Sequence, residues 1–191
     1  MTKYKIAALF IVVTISCLHF SSAKAQAQSS KKGSYFNKNN ITLLSGGNND
    51  DDDKGLNLST VHGVHLSDRF AAGFGVGLTS GVKYPYTLIP VFLNGTLSLT
   101  QSGKLYLSAD LGYSITTEKY AKGGPLGALA IGWKFRIGKI AIAPEIGYRF
   151  DGYRDRVWKL DVSDDSYTYR PTNDYASQYI NSFSTGLSII F

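Results

Sequence analysis

Counting back from the last residue, the segment Tyr179 to Phe191 sorts its side chains by parity. Ile189, Leu187, Thr185 and Phe183 share one face of an extended strand, and Ser188, Gly186, Ser184 and Ser182 share the other. The same two-residue period runs back through the chain. Leu105, Leu107, Ala109, Leu111, Tyr113 and Ile115 alternate with Tyr106, Ser108, Asp110, Gly112 and Ser114. Leu129, Ile131, Trp133, Phe135 and Ile137 alternate with Ala128, Ala130, Gly132, Lys134 and Arg136. Gly138-Lys139 then turns the chain into Ile140, Ile142, Pro144, Ile146, Tyr148 and Phe150, set against Ala141, Ala143, Glu145, Gly147, Arg149 and Asp151. A two-residue hairpin pairing Ile137 with Ile140, and hence Trp133 with Pro144, puts both apolar sets on one face.

Upstream the pattern is noisier but keeps its parity. Phe70, Ala72, Phe74, Val76 and Leu78 oppose Ala71, Gly73, Gly75, Gly77 and Thr79, and Ile89, Val91, Leu93, Leu97 and Leu99 oppose Pro90, Asn94, Thr96 and Ser98. Gly55 to Leu66 reads as a strand with Leu56, Leu58, Val64 and Leu66 on the apolar face; His62 shares that face, which suggests a bulge or a position near an interface. A first strand over roughly Tyr35 to Ser45 is diluted by Asn37, Lys38, Asn39 and Asn40. That makes eight strands, and nothing reads as an amphipathic helix. Short joins at Ser67 to Arg69, Thr100 to Lys104 and Gly138-Lys139 alternate with longer or more charged ones at Gly46 to Lys54, Ser80 to Tyr84, Glu118 to Gly124 and Asp151 to Gln178.

An apolar face of bulky Leu, Ile, Phe and Trp holds more volume than an eight-stranded lumen can accept. The opposite face, rich in Gly, Ala and Ser, suits a narrow filled interior and would make an odd solvent surface. A soluble lipocalin-like barrel requires the reverse arrangement. The expected fold class is therefore all-β, an eight-stranded antiparallel up-and-down transmembrane β-barrel with its apolar face outward. Tyr113, Tyr148 and Phe150 fall near one rim and Phe70, Phe135 and Phe191 near the other, as interfacial girdles do.

The amino-terminal end adds an address. Lys3 and Lys5 precede an apolar run from Ile6 to Val13, and small residues follow at Ala23, Ala25 and Ala27, the order of a secretory signal peptide. Thr14, Ser16, Cys17 and His19 interrupt the run, which falls short of the ~20 residues a membrane anchor needs. Lipidation of Cys17 is a minor alternative, because Thr14-Ile15-Ser16 is a poor approach to it. The expected organisation is a signal peptide over 1–25, with cleavage after Ala25 or Ala27, a short segment over 26–33 and a barrel over 34–191. Cleavage removes the single cysteine, so the mature chain has no disulfide and no thiol chemistry. It also removes Lys3, Lys5 and Lys24 with no acid, which lowers the formal charge from +6 to +3. That balance, without a basic helix or an aromatic-interleaved Lys/Arg cluster, gives no reason to expect nucleic acid.

With these features assembled, the mature chain resembles the small outer-membrane β-barrel proteins common in Bacteroidota, loosely similar in architecture to the OmpA and OmpX barrels of Gram-negative bacteria. The resemblance rests on the signal peptide, on glycine-punctuated strands such as Phe74-Gly75-Val76-Gly77, Ala109-Asp110-Leu111-Gly112-Tyr113 and Pro144-Glu145-Ile146-Gly147-Tyr148, and on terminal Phe191. It implies a cell outer-membrane location with both mature termini in the periplasm and a monomeric state. Partners implied are outer-membrane lipids including lipopolysaccharide, and the barrel-assembly machinery, which reads the C-terminal strand. Such motifs specify fold and say little about activity.

The candidate sites are few. Asp110, Lys134, Arg136, Glu145 and Arg149 are the interior charges, and Glu145, opposite Gly132 and diagonal to Lys134, is within reach of a salt bridge across that hairpin. A self-paired polar plug is expected over an ion path, because unpaired charge in a narrow lumen is costly. The run Asp50-Asp51-Asp52-Asp53 attracts cations but lacks the alternate ligand spacing of a calcium loop. His62 and His65, three apart, fall on opposite faces of a strand, so they share no metal, and neither Ser59 nor Asp68 completes a triad with them. The expectation is a non-enzymatic barrel without catalytic residues, metal or cofactor, with a structural, adhesive or loop-mediated binding role. A narrow pore is the alternative, and a lipid-modifying enzyme a more remote one.

Overall fold

The computed structural model describes residues 32–46, 54–81, 87–118, 120–163 and 166–191. The signal segment and Asp50 to Asp53 lie outside the described residues. Nine strand segments follow in order: β1 (Tyr35–Ser45), β2 (Lys54–His65), β3 (Phe70–Gly81), β4 (Thr87–Ser98), β5 (Leu105–Thr116), β6 (Ala121–Trp133), β7 (Phe135–Ile137), β8 (Ile140–Ser163) and β9 (Ser166–Ile190). Consecutive strands pair antiparallel from β1 to β6 and from β7 to β9, β1 pairs with β9, and β6 and β7 run in succession along β8. The sheet closes on itself as an eight-stranded antiparallel barrel. Closure leaves no free edge, the condition for a sheet to sit in hydrocarbon.

Parity is kept all round the wall. Leu93 pairs with Leu111, Leu111 with Gly127, and Ile41 with both Leu58 and Leu187. Leu93, Leu111 and Phe183 stand outward, 67%, 69% and 72% exposed, and Leu129, Ile131, Trp133, Ile146 and Tyr148 share that surface. Such a continuous bulky apolar girdle far exceeds the patches that soluble monomers expose, and it marks a wall solvated by lipid tails. Among the described residues no helix is long and apolar enough to cross a membrane.

The interior departs from the small, polar lining that alternation suggests. Phe36, Val61, Ala71, Phe92 and Leu126 form a buried apolar cluster inside the barrel. Glycines make room for the rings. A Cβ on Gly75 would lie 2.4 Å from the Phe92 ring, one on Gly63 2.5 Å from Phe36, and one on Gly132 2.6 Å from Tyr106. Large residues on one strand are thus accommodated by glycine on the next, which packs a narrow lumen without widening it.

Three expected boundaries move. Asp151 to Gln178, expected as a loop, continues as paired strand, with Asp151 opposite Ile180 and Tyr153 opposite Gln178, up to Ser163 opposite Ser166. The long join is therefore a β-hairpin rising beyond the barrel, with a register shift between Arg156 and Trp158. Ala121 to Gly124, placed in a join from the sequence, already belongs to β6, where Gly123 pairs with Tyr153 of that hairpin. The strand expected through Ile137 breaks at Lys134, whose amide donates to the Lys104 carbonyl at 2.8 Å while Phe135 resumes pairing with Ile142. The turns at 66–69, 99–104 and 138–139, the start of β1 and the end of β9 gather at one end of the barrel, called here the turn end. Gly138, at φ 61°, takes the left-handed conformation that the two-residue turn needs.

Candidate functional site

Two layers of polar side chains cross the lumen. In the layer nearer the turn end, the Lys38 Nζ lies 2.5 Å from Glu145 Oε1, both almost fully buried, and the Tyr106 hydroxyl donates to the same carboxylate. Lys38 also donates to Ser108 Oγ at 3.4 Å, and the Asn94 amide donates to Ser108 Oγ at 2.9 Å and to Asp110 Oδ1 at 2.5 Å. In the second layer Arg149 grips Asp151 through two donors, Nε to Oδ2 at 2.6 Å and Nη2 to Oδ1 at 2.9 Å. Ser114 donates to Asp151 at 2.7 Å, and Thr79 accepts from Arg149 at 3.3 Å and from Asn57 at 2.8 Å. Four strands, β2, β3, β5 and β8, contribute to this second layer, so it braces the barrel across its lumen. Bidentate geometry and satisfied lone pairs are what make such buried charge tolerable.

Of the interior charges, Glu145 and Arg149 are ion-paired, though not as the hairpin geometry suggested. Glu145 does face Gly132, but its ion pair is with Lys38, contributed across the lumen by β1. Lys134 instead sets its ammonium 4.7 Å from the centroid of the Tyr106 ring. Arg136, expected inside, is exposed at the mouth of the turn end. Sequence alternation finds which face a residue occupies. A partner that reaches across the barrel from a strand some hundred residues away is set by curvature alone.

His62 is not at a bulge: β2 pairs without interruption with β1 and β3, and His62 sits opposite Asn37 and Phe74. It points outward into a polar island. The Tyr35 hydroxyl hydrogen-bonds His62 Nδ1, the Asn37 amide donates to Thr60 Oγ1 and the Val61 carbonyl, both at 3.2 Å, and Asn39 donates to Asn37 Oδ1 at 2.6 Å. Asn37 is only 2% exposed although it lies on the outward face. The asparagines that blurred the first strand thus bond to one another and to their neighbours, which limits their cost beside lipid. His65, on the opposite parity, turns inward and meets the Phe36 ring at 5.4 Å.

The two ends of the lumen differ. At the hairpin end a pocket of about 10 Å³ lies beside Asp151, whereas at the turn end a vestibule of about 420 Å³ opens below Tyr106. On the hairpin beyond the barrel, Arg156 stacks 5.6 Å from the Tyr120 centroid and 5.5 Å from that of Tyr175, and donates to the Tyr175 hydroxyl at 3.1 Å. That hydrogen bond, aided by the charges of Arg156 and Lys122, holds the Tyr175 hydroxyl below the usual phenol range.

Fold and lumen together define the class: a closed, transmembrane-type antiparallel β-barrel whose interior is filled by its own side chains. No family model matches the chain, and no curated protein matches it in sequence. Among solved structures, one from work on the de novo design of transmembrane beta-barrels is similar over 87% of this chain and 100% of its own, at 11% identity and a TM-score of 0.43.

Proposed function

We propose that the chain is a non-enzymatic, monomeric barrel of the Gram-negative outer membrane that anchors an adhesive or binding hairpin outside the cell and conducts no ions. The observation that carries this reading is the pair of polar layers, Lys38–Glu145–Tyr106 and Arg149–Asp151–Ser114, spanning the lumen beneath a hairpin that runs on past the barrel. A sealed interior leaves the outer rim as the working surface, and on such scaffolds recognition belongs to what projects from it. On this reading the turn end and both termini face the periplasm, the signal over 1–25 is removed, and the β8–β9 hairpin meets partners outside. Lipopolysaccharide surrounds the outward wall, and the C-terminal strand ending at Phe191 is what the barrel-assembly machinery engages. Neither nucleic acid nor a cofactor enters the role.

Single-channel recording in planar bilayers tests the seal: the purified barrel is expected to stay silent, and steady conductance steps would overturn the plug. Protease shaving of intact cells tests orientation. Cutting confined to the β8–β9 hairpin and the joins at its end is expected, with unboiled protein migrating faster than boiled protein on gels; cutting at Ser67 to Arg69 in intact cells would reverse the assignment.

A further inference from the structure

The vestibule at the turn end carries more positive charge than the fold uses. Lys38 and Lys134 place their ammonium groups 5.4 and 4.7 Å from the centroid of the same Tyr106 ring, but Glu145 is the one side-chain carboxylate they share, and it pairs with Lys38. Arg136 and Lys139 line the mouth of the same cavity, and His65 stands on its wall. Phe191 lies at the same mouth, its backbone tied to Asn37 by two hydrogen bonds, at 2.8 and 3.3 Å. Among the described residues, no side-chain carboxylate forms an ion pair with Lys134, Arg136 or Lys139. Lys38, Lys134, Arg136 and Lys139 thus line a recess open at one end and closed above by the Lys38–Glu145–Tyr106 layer, with Glu145 the side-chain carboxylate paired to one of them.

Cations held on low-dielectric walls focus a field into the recess and draw in counter-ions. Lys134 lies where the strand breaks, and Arg136 and Lys139 flank an exposed turn. A volume of about 420 Å³ is that of a small-ligand pocket, and its aromatic wall of Phe36 and Tyr106 gives a bound group an apolar side to rest on. Arg136 offers a planar fork and the lysines offer point charges, the combination that grips phosphate oxygens. We infer that the vestibule is a binding site for a phosphate-bearing anion, held by Lys134, Arg136 and Lys139 and entered from the turn end. The phosphate could belong to a soluble compound or to the headgroup of a lipid at the adjacent membrane surface. This assignment is independent of what the hairpin binds.

The test is a 31P NMR titration of the full barrel in a phosphate-free maltoside micelle, with pyrophosphate as the soluble probe and short-chain phosphatidylglycerol as the lipid probe. Saturable broadening or shift of the pyrophosphate signal, weakened at least tenfold by Arg136→Gln/Lys139→Gln and unchanged by Lys122→Gln at the hairpin end, is the expected result for a soluble ligand. The same response to phosphatidylglycerol alone assigns the site to headgroups. Arg136 and Lys139 are exposed, so this double variant folds without repacking, and Lys134→Gln serves as a second measurement. Binding of neither probe, or affinity indifferent to the double variant, overturns the inference.

Discussion

Leu111→Arg separates a wall bathed in lipid from one bathed in water. Leu111 is 69% exposed, between Leu93 and Gly127, and it stands six residues along β5 from Leu105 at the turn end. At about 3.4 Å per residue and a strand tilt of about 40°, that lifts it about 15 Å along the barrel axis, near the middle of an apolar band about 25 Å tall. Arginine at the midplane of such a barrel costs about 2–4 kcal/mol, roughly a thirty- to eight-hundred-fold loss in the folding equilibrium. The same change on a water-facing strand falls within about 0.5 kcal/mol. Urea titration of the refolded barrel in phospholipid vesicles, read by tryptophan fluorescence and gel shift, measures the difference. Leu111→Arg should unfold at markedly lower urea, while Leu105→Arg, near the rim, should lose about 1 kcal/mol or less. Equal, negligible losses at both positions would refute a hydrocarbon-facing wall.

Arg149→Met strands the Asp151 carboxylate, 3% exposed, and should cost about 3–5 kcal/mol in the same assay; adding Asp151→Leu should recover more than half, because the stranded charge is then gone. Gly75→Ala drives a methyl into the Phe92 ring and should cost about 1–3 kcal/mol, with Phe92→Leu in the same chain relieving most of it. Asn37→Leu removes the acceptor that Asn39 uses on the outward wall and should cost about 1–3 kcal/mol, whereas Asn37→Leu/Asn39→Leu should come back near the parent stability. A double variant as unstable as the single one would show that the island does more than satisfy itself.

Much of the fold was legible because a closed barrel obeys a period-two rule with two unlike solvents. Every outward residue read from alternation on β5, such as Leu111, Tyr113 and Ile115, lies on the outer surface, and Ser182 and Ser188 lie inside. The limits of β1 match the expected Tyr35 to Ser45 although its pattern was diluted. The strand limits and pairing of the hairpin beyond the barrel were not legible. Its mixed charge and aromatics suit a loop or a solvated strand equally, and backbone pairing between Asp151 and Ser163 decides between them. The vestibule was hidden for a different reason. Lys134, Arg136 and Lys139 are near neighbours in sequence, at the break after β6, on β7 and in the turn before β8, but Lys38 and the aromatic wall of Phe36 and Tyr106 come from β1 and β5 and meet them only when the sheet closes.

The sequence by itself determined that this chain forms strands, how many wall positions they fill, which face of each meets hydrocarbon and where the tight turns fall. Those properties follow from local parity and from turn chemistry, which a neighbour in sequence is enough to set. Only the tertiary structure decided that Glu145 pairs with Lys38 rather than Lys134, that Phe92 fills the space Gly75 leaves, and that Asn37 and Asn39 join His62 in one outward island. Closing the sheet brings together side chains from distant strands, and the pairings across the lumen depend on its diameter and stagger, which are properties of the whole ring.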